Sequence, residues 1–234
     1  MQIQNRLLVS LKPEDLELLA QHLSEIRIQQ GELLEEPDRP LEAVYFPQSG
    51  MISLVVQMPE DIALEVGTVG AEGAIGMAVG LGSRRSFICA LVQVSGTCLR
   101  ISASRFQAVA NLSSGIRELI ARYAELQLGQ IQQTAACNAL HPVSQRLSRW
   151  LLQTSDATGS NTIPFTHEFL SRMLGVRRST VSQIASQFQD AGIIKTHRGQ
   201  IKLLNREELK NQACACYGII RRHVDRLLPS TEAQ

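Results

Sequence analysis

The chain has 234 residues, of which 44% are hydrophobic and 19% are charged. This length and apolar content predict two domains, each with its own hydrophobic core, and exclude an intrinsically disordered chain. The net charge of +1 conceals a split: residues 1–142 carry 10 Lys/Arg against 15 Asp/Glu (−5), and residues 143–234 carry 13 against 7 (+6). The split favours an acidic regulatory part followed by a basic part that binds nucleic acid.

The N-terminal sequence and the cysteines place the chain among cytoplasmic proteins. No signal peptide is visible at the N-terminus, and no apolar run approaches the ~20 residues that span a bilayer. Five cysteines form neither an even disulfide framework nor a paired CxxC zinc pattern: Cys89, Cys98, Cys137, Cys214 and Cys216. We therefore expect reduced thiols and no metal site.

The first hundred residues predict a helical start followed by short strands. Asn5–Ser24 has apolar faces at helical spacing, with a break between Ser10 and Pro13. From residue 25 to 101 the apolar period shifts toward two, and Gly and Pro separate about seven or eight short segments. This pattern is typical of an antiparallel jelly-roll sandwich or barrel, and the fold class is α+β.

Two helices should follow the strands, a short one over 102–111 and an amphipathic one of about 25 residues that begins after Gly115. Apolar, then polar, residues recur at heptad spacing on the second helix, which favours a seam with a second copy. The predicted dimer interface comprises Ile116, Ile120, Tyr123, Gln127, Gln130 and Thr134. The alternative is a lone helix lying on its own barrel. Asn138–Pro142 then marks a hinge.

The residues after the hinge predict a helix-turn-helix. Val143–Gln153 should form a supporting helix, and Thr166 is an N-cap candidate for the next one. That helix should end at Gly175, which can adopt a left-handed turn. A second helix, capped at Arg178 or Ser179, should end at Gly192.

Polar residues near the start of the second helix fall outside its apolar stripe and should face solvent. In a helix-turn-helix, this exposed N-terminal half of the second helix enters the major groove of DNA. The polar residues are Arg177, Arg178, Ser179, Ser182 and Gln183. Residues 193–204 alternate around a turn at Arg198-Gly199 and predict a basic hairpin, or wing, with Arg198 and Lys202 suited to phosphate. The alternative is a helical corner in an ordinary domain.

The last segment, 206–228, is predicted to be one helix. Cys214 and Cys216 would lie on it, and thiols two residues apart on a helix point in different directions. Such a pair makes a poor two-ligand clamp for a metal, so both are interpreted as packing residues.

In this order of elements the chain resembles the Crp/Fnr family of bacterial transcription regulators, and the sequence from Gly175 to Ile184 is similar to the family's turn and recognition helix. The resemblance implies a cyclic-nucleotide-binding-like effector domain over 1–112, a dimerisation helix and hinge over 113–141, and a winged helix-turn-helix domain with a helical extension over 142–234. It also implies base-reading roles for Arg178, Ser179 and Gln183, and contacts to the DNA backbone for Thr166, His167 and Thr180.

The resemblance further places an effector loop between two strands of the roll. The loop would comprise Gly70, Gly73, Gly76, Met77, Arg84, Arg85 and Ser86. Met77 stands where the family's cyclic-nucleotide members have a ribose-binding Glu, and Phe87 replaces a small residue. A small anionic effector is therefore one alternative, cyclic AMP is disfavoured, and neither haem nor the family's N-terminal cysteine cluster is indicated.

An enzyme is not expected, because the sequence contains no GxSxG, HExxH or Walker-type motif. The implied partners are palindromic double-stranded DNA, a second copy of the chain and, for an activator, RNA polymerase. A membrane is not among them. The competing hypothesis is a ligand-binding module that acts through a protein partner rather than DNA.

Overall fold

The computed structural model describes residues 2–59 and 63–228. Two short helices, α1 (Arg6–Val9) and α2 (Pro13–Ala20), lead into the strands β1 (Ser24–Ile28), β2 (Leu33–Glu35), β3 (Ala43–Pro47), β4 (Met51–Gln57), β5 (Ala63–Val69), β6 (Cys89–Val94) and β7 (Gly96–Ser102). The predicted strand 62–66 is present from Ala63, and its first residue, Ile62, lies outside the described residues.

These strands form two antiparallel sheets, ordered β1-β7-β3 and β2-β6-β4-β5. Among the described residues the sheets do not close into a barrel, so the sandwich alternative is correct and the barrel is wrong. Alternate side chains point inward, and Phe46, Leu54 and Leu99 are fully buried. We call this unit the roll.

The long helix packs on the roll rather than presenting its predicted seam to a partner. After α3 (Ala103–Leu112), α4 runs over Ser114–Leu140, and the Ser113 hydroxyl caps its first turn. Ile116, Ile120 and Tyr123 are at most 4% exposed within the single chain. The Tyr123 hydroxyl donates to the Ala74 carbonyl at 2.7 Å.

The predicted dimer interface is therefore wrong, and the alternative of a helix lying on its own roll describes this face. The polar half of the predicted seam also faces inward, since Thr134 is buried and the Gln130 amide donates to the Thr68 carbonyl at 3.0 Å. Gln127 is half-buried. Heptad spacing alone does not tell whether a helix buries its stripe within its own chain or against a second one.

The head, our name for residues 143–228, begins directly after the hinge. It contains α5 (Val143–Thr158), β8 (Thr162–Ile163), α6 (His167–Leu174), α7 (Arg178–Asp190), β9 (Ile194–His197), β10 (Gln200–Leu203), α8 (Arg206–Gln212) and α9 (Cys216–Leu227). The strands form a sheet ordered β8-β10-β9. Trp150 on α5 fills the core of the head, with its ring 5.0 Å from that of Phe165. Among the helices of the described ranges, none is long and apolar enough to cross a membrane.

The single C-terminal helix predicted over 206–228 is wrong. The chain leaves helical geometry at Ala213, whose φ of −80° and ψ of 148° are extended, and resumes as α9 at Cys216. α9 then runs back along α4. The close approach depends on Gly129 of α4, where a Cβ would lie 2.6 Å from Nε2 of His223. The apolar spacing along 206–228 could not reveal this return, because it continues across the break.

A buried carboxylate joins the head to the roll. Glu65 of β5 is 5% exposed and accepts hydrogen bonds from the Trp150 indole at 2.9 and 3.0 Å and from the Ser53 hydroxyl. Burial raises the pKa of Glu65 above the ordinary 4.5, while these two donors and the charge of Arg149 oppose the rise. The docked head thus depends on full pairing of this group.

Replacement of Glu65 should separate hydrogen bonding from charge. We expect Glu65→Ala to lower the free energy of unfolding by about 1–3 kcal/mol, because it leaves the Trp150 indole without its acceptor. Glu65→Gln keeps an acceptor and should cost less. Urea unfolding followed by the fluorescence of Trp150, the only tryptophan of the chain, measures both.

The wild type and Glu65→Gln also allow a test of the pKa of Glu65. Since the folded-state pKa of Glu65 is raised, its favourable contribution is complete below 4.5 and is lost as the pH rises toward the raised value. The stability of the wild type relative to Glu65→Gln should therefore fall over this interval. A constant difference would show that Glu65 has an ordinary pKa.

Candidate functional site

The turn of the helix-turn-helix forms as the sequence predicts. The Thr166 hydroxyl accepts from the Phe169 amide at 3.1 Å and caps α6. Gly175 ends that helix with φ 64° and ψ 40°, in the left-handed region that glycine adopts without strain. The predicted second cap at Arg178 or Ser179 is wrong, because the extended residue before α7 is Arg177 and its side chain makes no capping bond.

The outer face of α7 presents hydrogen-bond donors at its N-terminal end. Arg177, Arg178, Ser179 and Gln183 are exposed, whereas the apolar stripe of the helix is buried in the head. The N-terminal half of a recognition helix is the part that meets base edges, where Arg pairs with guanine and Gln with adenine. The two predicted residues Thr180 and Ser182 are half-buried.

His167 links the first helix to the second. Its Nδ1 lies 3.0 Å from the Ser182 hydroxyl, which holds the two helices at a fixed angle. Burial and the charge of Arg178 lower the pKa of His167 below the ordinary 6.5. The ring is therefore uncharged near neutral pH and can meet a phosphate only as a hydrogen-bond donor.

The wing hairpin turns at Arg198 and Gly199, whose φ values of 41° and 76° fit a type I′ turn. A cleft of about 290 Å³ separates this tip from the helix-turn-helix, and Thr166, His167, Arg178 and Arg198 all line it. Lys202 lies outside the cleft, exposed on β10 opposite Lys195. The structure thus gathers four of the ten predicted DNA-binding residues around one opening.

The cations of this surface are free to meet phosphate. Within residues 2–59 and 63–228, no ion pair within 4.0 Å involves Arg177, Arg178, Lys195, Arg198 or Lys202. The other basic residues of the head include members of ion pairs, such as Arg206 with Asp156. An unpaired cation releases more binding energy on a polyanion than one that must first leave a carboxylate.

A second cavity, of about 230 Å³, lies between the roll and α4. It contains four of the residues predicted for the effector loop: Gly76, Met77, Arg85 and Ser86. Tyr123, Gln127 and Ile131 of α4 line its other wall. We call this cavity the roll pocket.

Three residues predicted for the effector loop lie elsewhere. Gly73 packs against Tyr123, where a Cβ would come within 2.8 Å of the hydroxyl. Gly70 borders a separate cleft of about 400 Å³ between the roll and α9. Arg84 is exposed and is not part of the lining of the roll pocket. The loop is thus divided by the packing of α4.

A carboxyl group missed by sequence reasoning faces the roll pocket. Glu35 accepts from the Ser86 hydroxyl at 2.8 Å through Oε2, while its buried Oε1 has no hydrogen-bond partner within residues 2–59 and 63–228. Burial raises the pKa of Glu35. The Arg85 guanidinium donates to the Asp38 carbonyl. Glu35 follows an exposed-looking Leu33-Leu34 pair on a short edge strand, so no local pattern marks it as a pocket residue.

Four residues that the sequence interprets separately also meet at the hinge. The ligand atoms of Cys137, His141, Cys214 and Cys216 all lie within 4.8 Å of one another. The sequence predicted that Cys214 and Cys216 would point in different directions on one helix and would therefore bind a metal poorly. This prediction is wrong, because both residues lie at the junction of α8 and α9 rather than inside one helix.

Comparisons with known proteins agree with this geometry. Residues 145–212 match the Crp-like helix-turn-helix domain family. No curated protein matches the chain by sequence. A solved structure of a putative Crp/Fnr-family regulator from Eubacterium rectale is 15% identical, with a TM-score of 0.70 over 88% of this chain and 96% of that one.

Two further solved structures are similar. FixK2 from Bradyrhizobium japonicum is 17% identical, with a TM-score of 0.70 over 82% of this chain and 98% of that one. The c-di-GMP-responsive regulator CLP from Xanthomonas campestris is 18% identical, with a TM-score of 0.66 over 82% and 99%. Residues 145–212 are therefore a Crp-like helix-turn-helix domain, which makes the chain a DNA-binding transcription regulator, and its fold is that of the Crp/Fnr regulators.

Proposed function

We propose that this regulator acts as a homodimer whose two heads read the halves of a palindromic operator, under the control of a small ligand in the roll pocket. The observation that carries the proposal is the cleft between α7 and the wing, whose cations Arg178 and Arg198 have no ion-pair partner among the described residues. Because its target is chromosomal DNA, we place the protein in the cytoplasm, and an activating role would add RNA polymerase as a partner.

Selection of bound duplexes from a random pool tests the DNA part directly. A dimer with two identical heads should enrich an inverted repeat whose half-sites lie about one helical turn apart, or a multiple of it. Failure to enrich any sequence, in the presence and absence of cell extract, would favour the competing hypothesis of a ligand-binding module that acts on a protein partner.

Substitutions in the recognition helix and in the wing should affect DNA binding in different ways. Arg178 is exposed in the first turn of α7, so Arg178→Ala should cost about 1–3 kcal/mol per half-site on the selected operator and relax the choice of base there. Lys202→Ala should weaken all sequences alike and reduce the log-log salt slope by about 1 for each phosphate that is no longer neutralised. Titrations at several salt concentrations measure both effects.

Lys12→Ala is the matched control, because it removes one exposed cation just before α2, outside the head. It should leave both the base preference and the salt slope unchanged. The assignment of Arg178, Ser179 and Gln183 as base-reading residues fails if Arg178→Ala and Lys202→Ala give the same uniform loss.

The dimer needs a face of α4 other than the one predicted from heptad spacing. Residues at alternating spacings of three and four remain exposed or half-buried along one flank of α4, with Ile131 at the edge of the roll pocket: Ala121, Ala124, Leu128, Ile131 and Ala135. Leu128 is 56% exposed at the centre of this stripe. Small residues around one central leucine allow two helices to approach closely, so we propose this stripe as the seam.

Leu128→Asp should therefore convert the dimer to monomers, since two carboxylates would face each other across the seam. Sedimentation velocity measures the change, and operator affinity should fall with it. Leu112→Asp is the control, because Leu112 is 79% exposed on α3, outside the stripe. A Leu128→Asp protein that sediments as a dimer would contradict the seam. Ile120→Asp cannot be used to test the seam, because Ile120 lies in the core of its own chain and the substitution would disturb folding.

The roll pocket offers a ligand one cation and one carboxyl group. Arg85 can pair with an anionic group, and the unpartnered Oε1 of Glu35 can accept from a donor. Because Ile131 belongs both to the pocket wall and to the proposed seam, a bound ligand would act directly on the packing of α4. A ligand that combines an anionic group with a hydrogen-bond donor suits this pocket.

Cyclic AMP should not stabilise the protein. The side chain at the expected ribose-binding position is Met77, which is 5% exposed and packs in the apolar core. A ligand present at a hundredfold of its Kd would add about 2.7 kcal/mol of stability, which a thermal melt detects readily. A rise in the melting temperature of the wild type that disappears in Arg85→Ala would overturn this prediction.

A further inference from the structure

Four side chains with metal-binding atoms converge where α4 ends and α9 begins. Cys137 and His141 lie one turn apart at the end of α4, where the His141 amide donates to the Cys137 carbonyl at 3.1 Å. Cys214 and Cys216 flank Ala215 at the junction of α8 and α9. Two segments more than seventy residues apart thus supply two potential ligands each.

The spacing of the four atoms fits a single metal ion. With zinc–sulfur bonds of about 2.3 Å, the sulfur atoms of a tetrahedral site lie about 3.8 Å apart. The Sγ atoms of Cys137 and Cys214 are 3.5 Å apart, and Sγ of Cys216 is 3.5 Å from Nδ1 of His141. An iron–sulfur cluster would attach these ligands to several iron atoms and hold them further apart than 4.8 Å allows for all pairs.

The donor set favours zinc. Three thiolates and one imidazole match the closed structural type of zinc site, and thiolates select soft or borderline metals over Mg²⁺ and Ca²⁺. The three thiols form a cluster of their own, each at most 5% exposed. The Gln133 amide donates to Sγ of Cys216 at 3.0 Å, as second-layer groups of metal sites do.

The surrounding charge also suits a loaded site. Three thiolates around one Zn²⁺ leave a net charge of −1, which needs a cation in a buried setting. Arg146 and Arg149 are both buried beside the thiols, and each has a buried Nε that finds no hydrogen-bond partner in the part of the chain that the structure describes.

A disulfide or simple apolar packing explains less of this arrangement. A disulfide between Cys137 and Cys214 would use two of the four residues, would need the sulfur atoms about 2.05 Å apart, and would leave Cys216 and His141 without a role. Apolar packing gives no reason for an imidazole and an amide donor to face the sulfur atoms.

We propose that Cys137, His141, Cys214 and Cys216 bind one Zn²⁺ in a tetrahedral site that fastens α9 to the end of α4. The site adjoins the hinge at His141-Pro142, so a bound metal fixes the support on which the head is mounted. Metal binding itself does not rest on the proposed function, whereas its effect on DNA affinity does.

Metal analysis of the full-length protein, purified without chelator, tests the site. We expect one Zn²⁺ per chain in the wild type and in the control Cys89→Ala, which removes a buried thiol of the roll, and none in Cys214→Ser. Substitution with Co²⁺ should give the strong visible absorption of a tetrahedral thiolate site. The proposal would be overturned if the wild type contained no zinc and showed no absorption with Co²⁺. A Cys137–Cys214 disulfide or the absorption spectrum of an iron–sulfur cluster would also overturn it.

Since Cys214→Ser could fail to fold, the wild type is also tested by removal and return of the metal. Chelation should raise the reactivity of three thiols and the hydrogen exchange of α9, and added Zn²⁺ should reverse both. Unchanged exchange of α9 after zinc removal would overturn the fastening role.

Operator binding by loaded and stripped protein then separates the two proposals. We expect the stripped protein to bind at least about tenfold more weakly, which is a difference of about 1.4 kcal/mol. Zinc bound with no DNA affinity in either state would contradict the proposed function alone. Full DNA affinity in a protein that never binds zinc would contradict the metal site alone.

Discussion

The burial of one face of α4 against the roll determines how the rest of the molecule is arranged. Ile116, Ile120 and Tyr123 occupy the core of their own chain, so only the surface of α4 that neither the roll nor α9 covers can meet solvent or a second copy. The same helix forms a wall of the roll pocket through Gln127 and carries Cys137 at its far end. The pocket, the proposed seam and the proposed zinc site therefore lie along one rigid element.

Features set by local chemistry could be predicted from the sequence. The cap at Thr166, the left-handed turn at Gly175 and the hairpin turn at Arg198-Gly199 each depend on a few neighbouring residues, and all three are present. The order of strands and helices followed from apolar period and from Gly and Pro positions. The two-residue strand β8 was missed, because its partner β10 lies far along the chain.

What could not be predicted depends on contacts between distant residues. The heptad pattern of α4 gives the spacing of the apolar stripe, but only the packed roll shows which surface covers it. Cys137 and Cys214 are 77 positions apart, and nothing local brings them together before α9 folds back along α4. Glu35 and Glu65 likewise sit on strands where a carboxylate is ordinarily exposed, and their burial is a tertiary effect.

The contact between roll and head sets a lower limit on what any effector must supply. Moving the head away from β5 breaks the bonds from the Trp150 indole to Glu65 and exposes the apolar contact of Met173 with Val55. Exchange of a buried hydrogen bond for hydrogen bonds to water costs about 0.5–1.5 kcal/mol. A ligand can shift the arrangement only by its difference in affinity between the two states. Because exposed Glu65 regains hydration and its ordinary pKa, the cost of release falls as the pH rises, so a weaker ligand suffices at higher pH.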